Sequence, residues 1–450
     1  MKRRSTLMLT GAVLGVAAVG IGAFGVARST PGSASPNVPP AQSVDDIGPV
    51  APAPRLTMSG RSLDQMIAGL QTRLETLPTD ASSWATLGIA YVQQAKATVN
   101  PDYYAKADGA IEKSLALDQS DNFLAYIGRS AIDSARHEFR SAAEAAEKGL
   151  AVNAYNPLLY GALSDAQIQL GNYDAGFAAV QKMVDLRPDT ASLARASYTW
   201  ELRGDLDRAR ELMQRAYDDA PSDSTKAFAA FYLGELAFNA GDPNRALTYY
   251  LQALSASPDD PAALAGRARA EAAIGQVETA LDDYAKVVER TPEPSYLLEY
   301  GELLESLGRT DEAKAQYAVF LATQQLFSAA GVQPDATAVL FDADHGDAKE
   351  ALAAAGPALE HRPFLAMQDA AAWAMHRNGD DTGALAASNA SLALGMRNAL
   401  FHYHRGMIQF ALGDTDAARA DLTTALAINP AFNRLAAPIA TATLAEIGTT

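Results

Sequence analysis

Residues 232–258 read YLGELAFNAGDPNRALTYYLQALSASP, and the order of turn-forming, small and large residues in that stretch decides the fold. Gly241 ends one helix, because it adopts without strain a backbone conformation that costs other residues steric energy, and Asp242 follows as a turn residue. Ala246 opens the second helix and lets two backbones approach closely, while Tyr250, four positions on, fills the space between helix pairs. Pro258 then stops that helix, since it has no N–H and disfavours the helical conformation of its predecessor.

The same order recurs along the chain. The glycine column is Gly171, Gly204, Gly241, Gly275, Gly308, Gly346, Gly379 and Gly413, with separations of 33, 37, 34, 33, 38, 33 and 34 residues. Five residues after each glycine stands a small residue: Gly176, Ala209, Ala246, Ala280, Ala313, Ala351, Ala384 and Ala418. Seventeen residues after it stands Pro188, Pro221, Pro258, Pro292, Pro363 or Pro430, with Gln325 and Met396 as exceptions. Each unit is a helical hairpin of about 34 residues that cannot bury both faces alone and must stack on its neighbours.

These residues resemble the tetratricopeptide repeat (TPR) family. The unit quoted above is the best match, and Arg405-Gly406, Gly413-Asp414, Ala418, Leu422, Ala425 and Asn429-Pro430 form a second clear one. Trp84, Leu87, Gly88 and Tyr91 look like the first-helix signature of an opening unit, whose turn is lengthened by Asn100-Pro101-Asp102. The unit near 121–156 matches poorly. The resemblance implies an all-α TPR α-solenoid, a right-handed superhelix of about ten hairpins over residues 81–432. Leu63, Met66, Ile67, Leu70 and Leu74 predict a packing helix ahead of it, and Phe432, Leu435, Ile439 and Leu444 predict a capping helix, bent or interrupted at Pro438.

The amino terminus reads as a targeting device. Met1-Lys2-Arg3-Arg4 precedes an uncharged run from Leu7 to Ala27, about 31 Å long as a helix, which predicts either a membrane anchor or a cleaved signal peptide with the remainder exported. Residues 28–60 are rich in Pro, Ser and Ala and predict a disordered, extended linker, leaving 61–450 for the solenoid. Absence of cysteine excludes a disulfide framework, a thiol nucleophile and thiolate metal sites. A formal charge of −17 opposes generic binding to nucleic acid or anionic lipid and favours a basic or neutral partner.

A search for catalytic or cofactor motifs yields none that fits its required context, so no cofactor is expected. Gly20-Ile21-Gly22-Ala23-Phe24-Gly25 has dinucleotide-fingerprint spacing but lies inside the apolar leader. Asp342, Asp344, His345 and Asp347 fail as a calcium loop, because Gly346 and Ala353 stand where oxygen ligands belong, and they read as a solvated hairpin turn. His402 and His404 are two residues apart, about 200° around a helix, and point to different sides.

In TPR arrays the first helix of each hairpin lines a concave groove, and the resemblance projects Tyr198, Glu201, Phe228, Phe231, Glu235, Phe238, Arg269, Glu302, Trp373, His376, Tyr403 and Phe410 into it, with Asp165, Glu305 and Asp344 beside them. Phe228, Phe231, Glu235 and Phe238 form one helical stripe that reads equally as groove or as core. Acids and aromatics together predict a protein or peptide partner carrying Lys or Arg among apolar anchors. The leading reading is an exported, non-enzymatic TPR scaffold, held at the membrane if its leader is uncleaved. Two alternatives stand beside it. Met66, Leu70, Arg73-Leu74, Pro78, Asp80, Trp84, Leu87-Gly88 and Tyr91 resemble the start of periplasmic TPR chaperones of cytochrome c maturation, and His376, His402, His404 and Asp344 would serve a metal-dependent module.

Overall fold

The computed structural model describes residues 60–449, in which every regular element is an α-helix. The predicted leader at 1–27 and the linker up to Ser59 lie outside the described residues. Helix α1 (Gly60–Thr76) precedes ten hairpins. The first five are α2 (Ala81–Thr98) with α3 (Asp102–Leu117), α4 (Phe123–Ala135) with α5 (Phe139–Val152), α6 (Pro157–Gln169) with α7 (Tyr173–Leu186), α8 (Thr190–Leu202) with α9 (Leu206–Asp218), and α10 (Asp223–Asn239) with α11 (Pro243–Ala256). The second five are α12 (Pro261–Ala273) with α13 (Val277–Arg290), α14 (Pro294–Ser306) with α15 (Thr310–Ala329), α16 (Ala336–Asp344) with α17 (Ala348–His361), α18 (Leu365–Arg377) with α19 (Asp381–Ser391), and α20 (Ala399–Ala411) with α21 (Thr415–Ile428). Helix α22 (Ala436–Thr449) ends the stack. No helix among the described residues is long and apolar enough to cross a membrane.

Hairpin turns follow the glycine column with one exception. Gly171, Gly204, Gly241, Gly275, Gly308, Gly379 and Gly413 take left-handed φ values between 73° and 85°, whereas Gly346 does not. The acid after the glycine has its own cause: Asp205, Asp242 and Asp414 each accept a backbone N–H three residues on and so cap the second helix. In the first two hairpins the left-handed position falls to Val99 and His137, which is why the column is invisible there. Packing between hairpins also matches the pattern. Tyr250 is fully buried, and a Cβ added to Gly234 or Gly266 would come within 2.4 or 2.5 Å of its ring. Its side chain is wedged between hairpins five and six, and only glycine on both first helices leaves room for it.

The two ends are covered by their own helices. Leu63, Ile67 and Leu74 of α1 are buried against hairpins one and two, with Met66 and Leu70 half-buried beside them. The residues that resemble cytochrome-maturation chaperones form the α1–α2 joint: Arg73 Nη2 lies 2.7 Å from the Asp80 carboxylate, and Trp84 Nε1 donates to Pro78 O at 3.0 Å. Pro438 neither bends nor interrupts the C-terminal cap. It occupies the first turn of α22, where a backbone N–H has no intrahelical partner to lose.

The superhelix closes on itself with an offset of five hairpins. The turn of hairpin two meets the loop after hairpin seven, where Gln333 N donates to Arg136 O at 3.2 Å and His137 Nδ1 lies 2.8 Å from Gln333 O. Turn three meets the loop after hairpin eight, with Arg362 Nε donating to Gln169 Oε1 at 2.6 Å. In turns four and five a Cβ on Gly204 would lie 2.2 Å from Gly395 O, and one on Gly241 would lie 2.5 Å from Ile428 O. Asn429 Nδ2 also donates to Phe238 O at 2.8 Å. The absent proline at Gln325 contributes: α15 runs on for 20 residues and delivers the Gly331–Asp335 loop to hairpin two. Successive superhelical turns are therefore in backbone contact.

This geometry separates two glycines of equal conformation. Nothing lies within 4 Å of a Cβ built on Gly413, whose φ of 81° nearly equals the 82° of Gly241. Gly413→Ala is expected to cost about 1–2 kcal/mol from its left-handed backbone alone, and Gly241→Ala about 1 kcal/mol or more beyond that from displacing the Ile428 carbonyl. Urea unfolding of the two variants checks this; equal losses would show that the turns do not touch.

Candidate functional site

Closure converts the concave face into an internal hollow. Two cavities of about 570 and 670 Å³ occupy it, here called upper and lower, and Arg269, Ser295, Glu299 and Thr337 line both. The partition between them is a half-buried ionic cluster built from three first helices. Arg269 on α12 bonds Glu235 on α10 through a short contact and reaches Glu299 on α14 at 3.3 Å. Tyr250 Oη donates to Glu235 Oε1 at 2.5 Å, Tyr284 Oη donates to Glu299 Oε2 at 2.8 Å, and the Arg269 guanidinium lies 4.6 Å from the Phe238 ring centre. Burial opposes the charge on Arg269, yet the two glutamates outweigh it and raise its pKa well above the ordinary value. Burial and the same glutamates raise both tyrosines well above theirs, so the hydroxyls stay protonated as donors.

The upper cavity is walled by Tyr104, Phe231, Tyr296, Phe320 and Phe327, with Glu235, Glu293, Glu299, Asp335 and Asp342 against Lys96 and Arg269 as its charges. Burial raises the Asp342 carboxyl, and the neighbouring charges of Glu350 and Asp347 add to the shift. The lower cavity holds Phe238, Trp373, Tyr403 and Phe432 with Glu201, Glu299, Glu302, Glu305 and Asp344. Arg377, Arg397 and Arg434 also face it, so it is less acidic than the first-helix residues alone suggest. Glu201 has no basic partner there among the described residues: burial and the Glu235 charge push its carboxyl up to about 7, offset only by the Asn239 amide.

The hollow gathers eight of the twelve residues projected into the groove. Phe231 and Glu235 line the upper cavity, Glu201, Phe238, Glu302, Trp373 and Tyr403 the lower, and Arg269 both. Four lie elsewhere. Tyr198 packs with Leu365 and Phe401 where the second superhelical turn covers it, and Phe228 belongs to the core with Leu193 and Leu233. His376 pairs through Nδ1 with Asp381 at 2.5 Å, and Phe410 packs at the edge of the C-terminal core. Asp165, placed in the groove beside them, is instead buried in an ion pair with Arg195 at 2.6 Å.

The histidines go to separate carboxylates. His402 Nδ1 is 2.7 Å from Asp421, and the buried His404 is 2.8 Å from Asp369 and stacks on Trp373 at 4.2 Å. No group of three or more potential ligand side chains forms a metal cluster among the described residues. The acidic turn at 342–347 is a solvated turn only in part. Asp347 is exposed and caps α17, but Asp344 accepts from Trp373 Nε1 at 2.8 Å, and His345 turns inward between Glu302 and Glu305, 3.5 Å from each. Burial pulls the His345 imidazole down; its bond to Glu302 and the charges of Glu302 and Glu305 outweigh that and raise its pKa. His345, Glu299, Arg397 and Arg434 are hollow residues that a first-helix projection missed. Glu299 was recoverable, since it stands 30 residues beyond Arg269 on the next first helix; the two arginines sit in loops, where no helical period places them.

One tetratricopeptide repeat model matches residues 162–224, 231–294 and 267–325, and another matches 399–432. The protein is thus a helical-repeat solenoid, in which residues 162–224, 231–325 and 399–432 match tetratricopeptide repeats. Comparison with curated proteins gives no match. Among solved structures the chain is similar to a tetratricopeptide repeat protein from Parabacteroides merdae, at 20% identity over 58% of this chain and 99% of that one with a TM-score of 0.33. It is also similar to the APC/C hetero-tetramer Cut9–Hcn1, at 16% identity over 86% and 82% with a TM-score of 0.43, and to yeast Tom70, at 14% over 86% and 93% with a TM-score of 0.38.

Arg269 provides a test of the partition. Arg269→Met leaves Glu235 and Glu299 half-buried without their cation and is expected to destabilise the protein by about 1–3 kcal/mol at pH 7.5, less than the cost of breaking a fully buried pair because solvent reaches part of the cluster. Burial already raises the Glu299 pKa with Arg269 in place. Without the arginine the folded variant takes up protons more readily than its unfolded chain, so its deficit shrinks as the pH falls towards 5. Urea titrations at several pH values measure both effects, and a deficit independent of pH would contradict them.

Proposed function

We propose that this chain is an exported, non-enzymatic TPR scaffold whose superhelical hollow holds a short basic peptide segment of a protein partner. The observation that carries this reading is Glu201, a half-buried carboxyl on the wall of an aromatic cavity, with no basic side chain of the described residues beside it. A lysine or arginine entering there would meet a carboxylate on one side and Phe238, Trp373 and Tyr403 as apolar contacts around it. Each cavity falls within the size range of sites that bury a small ligand, which suits an extended segment rather than a folded domain. The charge of −17 agrees with a basic partner and disfavours nucleic acid. Export rests on the basic start and apolar run of residues 1–27, which also provide a membrane anchor if they are retained.

Glu201 fixes the sign of the pH dependence. Its folded pKa of about 7 exceeds the ordinary 4.5, so the fold binds the proton more tightly than the unfolded chain. Stability from this group is therefore full below about 4.5 and is lost as pH rises through about 7, by up to roughly 1.4 kcal/mol per unit. Glu201→Gln is expected to flatten that slope in urea titrations. A basic peptide prefers the ionised carboxylate, so a fluorescein-labelled Lys/Phe/Leu peptide followed by anisotropy should bind more tightly at pH 8 than at pH 6. Glu201→Gln should weaken it about 5–10-fold, or roughly 1–1.4 kcal/mol. A Glu/Phe/Leu peptide that binds equally well would remove the basic-partner reading.

Localisation has its own test. A carboxy-terminal alkaline phosphatase fusion, active only outside the bacterial cytoplasm, should be active with residues 1–27 and inactive without them. Activity in both would contradict export through that segment.

A further inference from the structure

The carboxylates of the upper cavity outnumber its cations, and two of the acids are not used by the Arg269 cluster that takes Glu235 and Glu299. Asp335 stands at the N-cap of α16 and Asp342 seven residues on. Seven residues are two helical turns, so the two positions share one face and lie about 10 Å apart along the axis. Asp335 gives one oxygen to the Ala338 N–H at 2.9 Å, and neither carboxylate joins an ion pair among the described residues. Between them the same face carries Ala338 and Val339, and Phe231, Phe320 and Phe327 continue the apolar wall. Ser134 adds an observation independent of charge. It lines the cavity, is 1% exposed, and its Oγ has no hydrogen-bond partner among the described residues. A buried hydroxyl left in that state costs free energy that an N–H donor entering the cavity would recover.

We propose that the upper cavity binds a linear aliphatic polyamine, with its end ammonium groups at Asp335 and Asp342, its methylene chain along the apolar wall and an amine N–H donated to Ser134 Oγ. Two cations at that spacing answer both carboxylates, whereas a single ammonium leaves one of them alone. Phenyl faces beside the ammonium groups add cation–π attraction. A peptide with two lysines offers the same pair of cations, but its backbone N–H and C=O groups would lie unpaired along the apolar stretch. The volume of about 570 Å³ suits a small ligand, and the Arg269 cluster separates this space from the lower cavity. The site is therefore distinct from Glu201 and does not rest on the basic-peptide reading.

Isothermal titration calorimetry of the intact chain with spermidine, 1,3-diaminopropane and n-hexylamine tests it. Extended spermidine matches the spacing of the carboxylates, the diamine is too short, and the monoamine has one charge. Spermidine should bind at one site per chain, at least tenfold more tightly than either of the others. Asp335→Asn keeps a side chain that can cap α16, and it and Asp342→Asn should each weaken spermidine at least fivefold. Ala338→Phe retains both carboxylates but fills the space between them, and should weaken it at least tenfold. Asp207→Asn removes an exposed carboxylate of α9 outside the cavity and should change nothing. Equal affinity for the three amines, equal weakening by Asp207→Asn, or binding untouched by Ala338→Phe would overturn the site. A Lys-Ala-Ala-Lys peptide that binds more tightly than spermidine and loses that affinity in Asp342→Asn would assign the cavity to a lysine-bearing segment and overturn the polyamine. If spermidine binds as expected and the labelled Lys/Phe/Leu peptide does not bind, this site stands and the proposed function fails. If that peptide binds through Glu201 and spermidine does not bind, the polyamine site alone fails.

Discussion

The absence of a Cβ at the hairpin turns is the constraint on which the rest of the structure depends. At Gly204 and Gly241 the left-handed backbone ends a first helix, and the space where a side chain would stand is taken by a carbonyl from five hairpins further on. One residue type meets both demands. A side chain there would raise the local backbone energy and push the second superhelical turn away from the first. His137 shows the alternative solution. It accepts a left-handed φ of 63° without being glycine, and its ring nitrogen contacts Gln333 O in the loop that docks on it.

Closure changes what the concave face is able to do. An open solenoid presents a long, wet groove to a partner, whereas here opposite walls face each other across two small cavities, and burial shifts the groups that line them. Arg269 is held between Glu235 and Glu299 by that low-dielectric setting, and Glu201 is left with a raised pKa by the same setting. The chain fills one acidic position of its hollow with its own guanidinium, and among the described residues another has no cation beside it. The proposed recognition of a basic segment rests on the second position, and the separation of the two cavities on the first.

Much of the architecture was legible in the sequence because its causes are local. Turn glycines, the small residue at the start of each second helix and the stopping prolines act within one hairpin, so their period is visible by inspection. Val99 and His137 hid the first two turns by doing a glycine's work with other side chains. The hollow was legible only in part. Phe231, Phe238, Trp373 and Tyr403 follow from helical periodicity, but Tyr198 is covered by residues about two hundred positions away, and Arg397 and Arg434 arrive in loops. Closure is set by carbonyls meeting glycines at an offset of five hairpins, and a backbone carbonyl has no letter in a sequence.

The central claim is that the solenoid forms a closed superhelix rather than an open one, and one distance tests it directly. Asp207 and Arg397 are both exposed and line the same surface pocket although hairpins four and ten bracket the path between them. The chain has no cysteine, so cysteines placed at these two positions take spin labels without background. Electron–electron double resonance should give one narrow distance below about 25 Å, allowing for label length on facing residues. Neighbouring helices pack about 8–10 Å apart, so an open stack would separate the labels by well over 40 Å, and a distribution centred there would contradict the account.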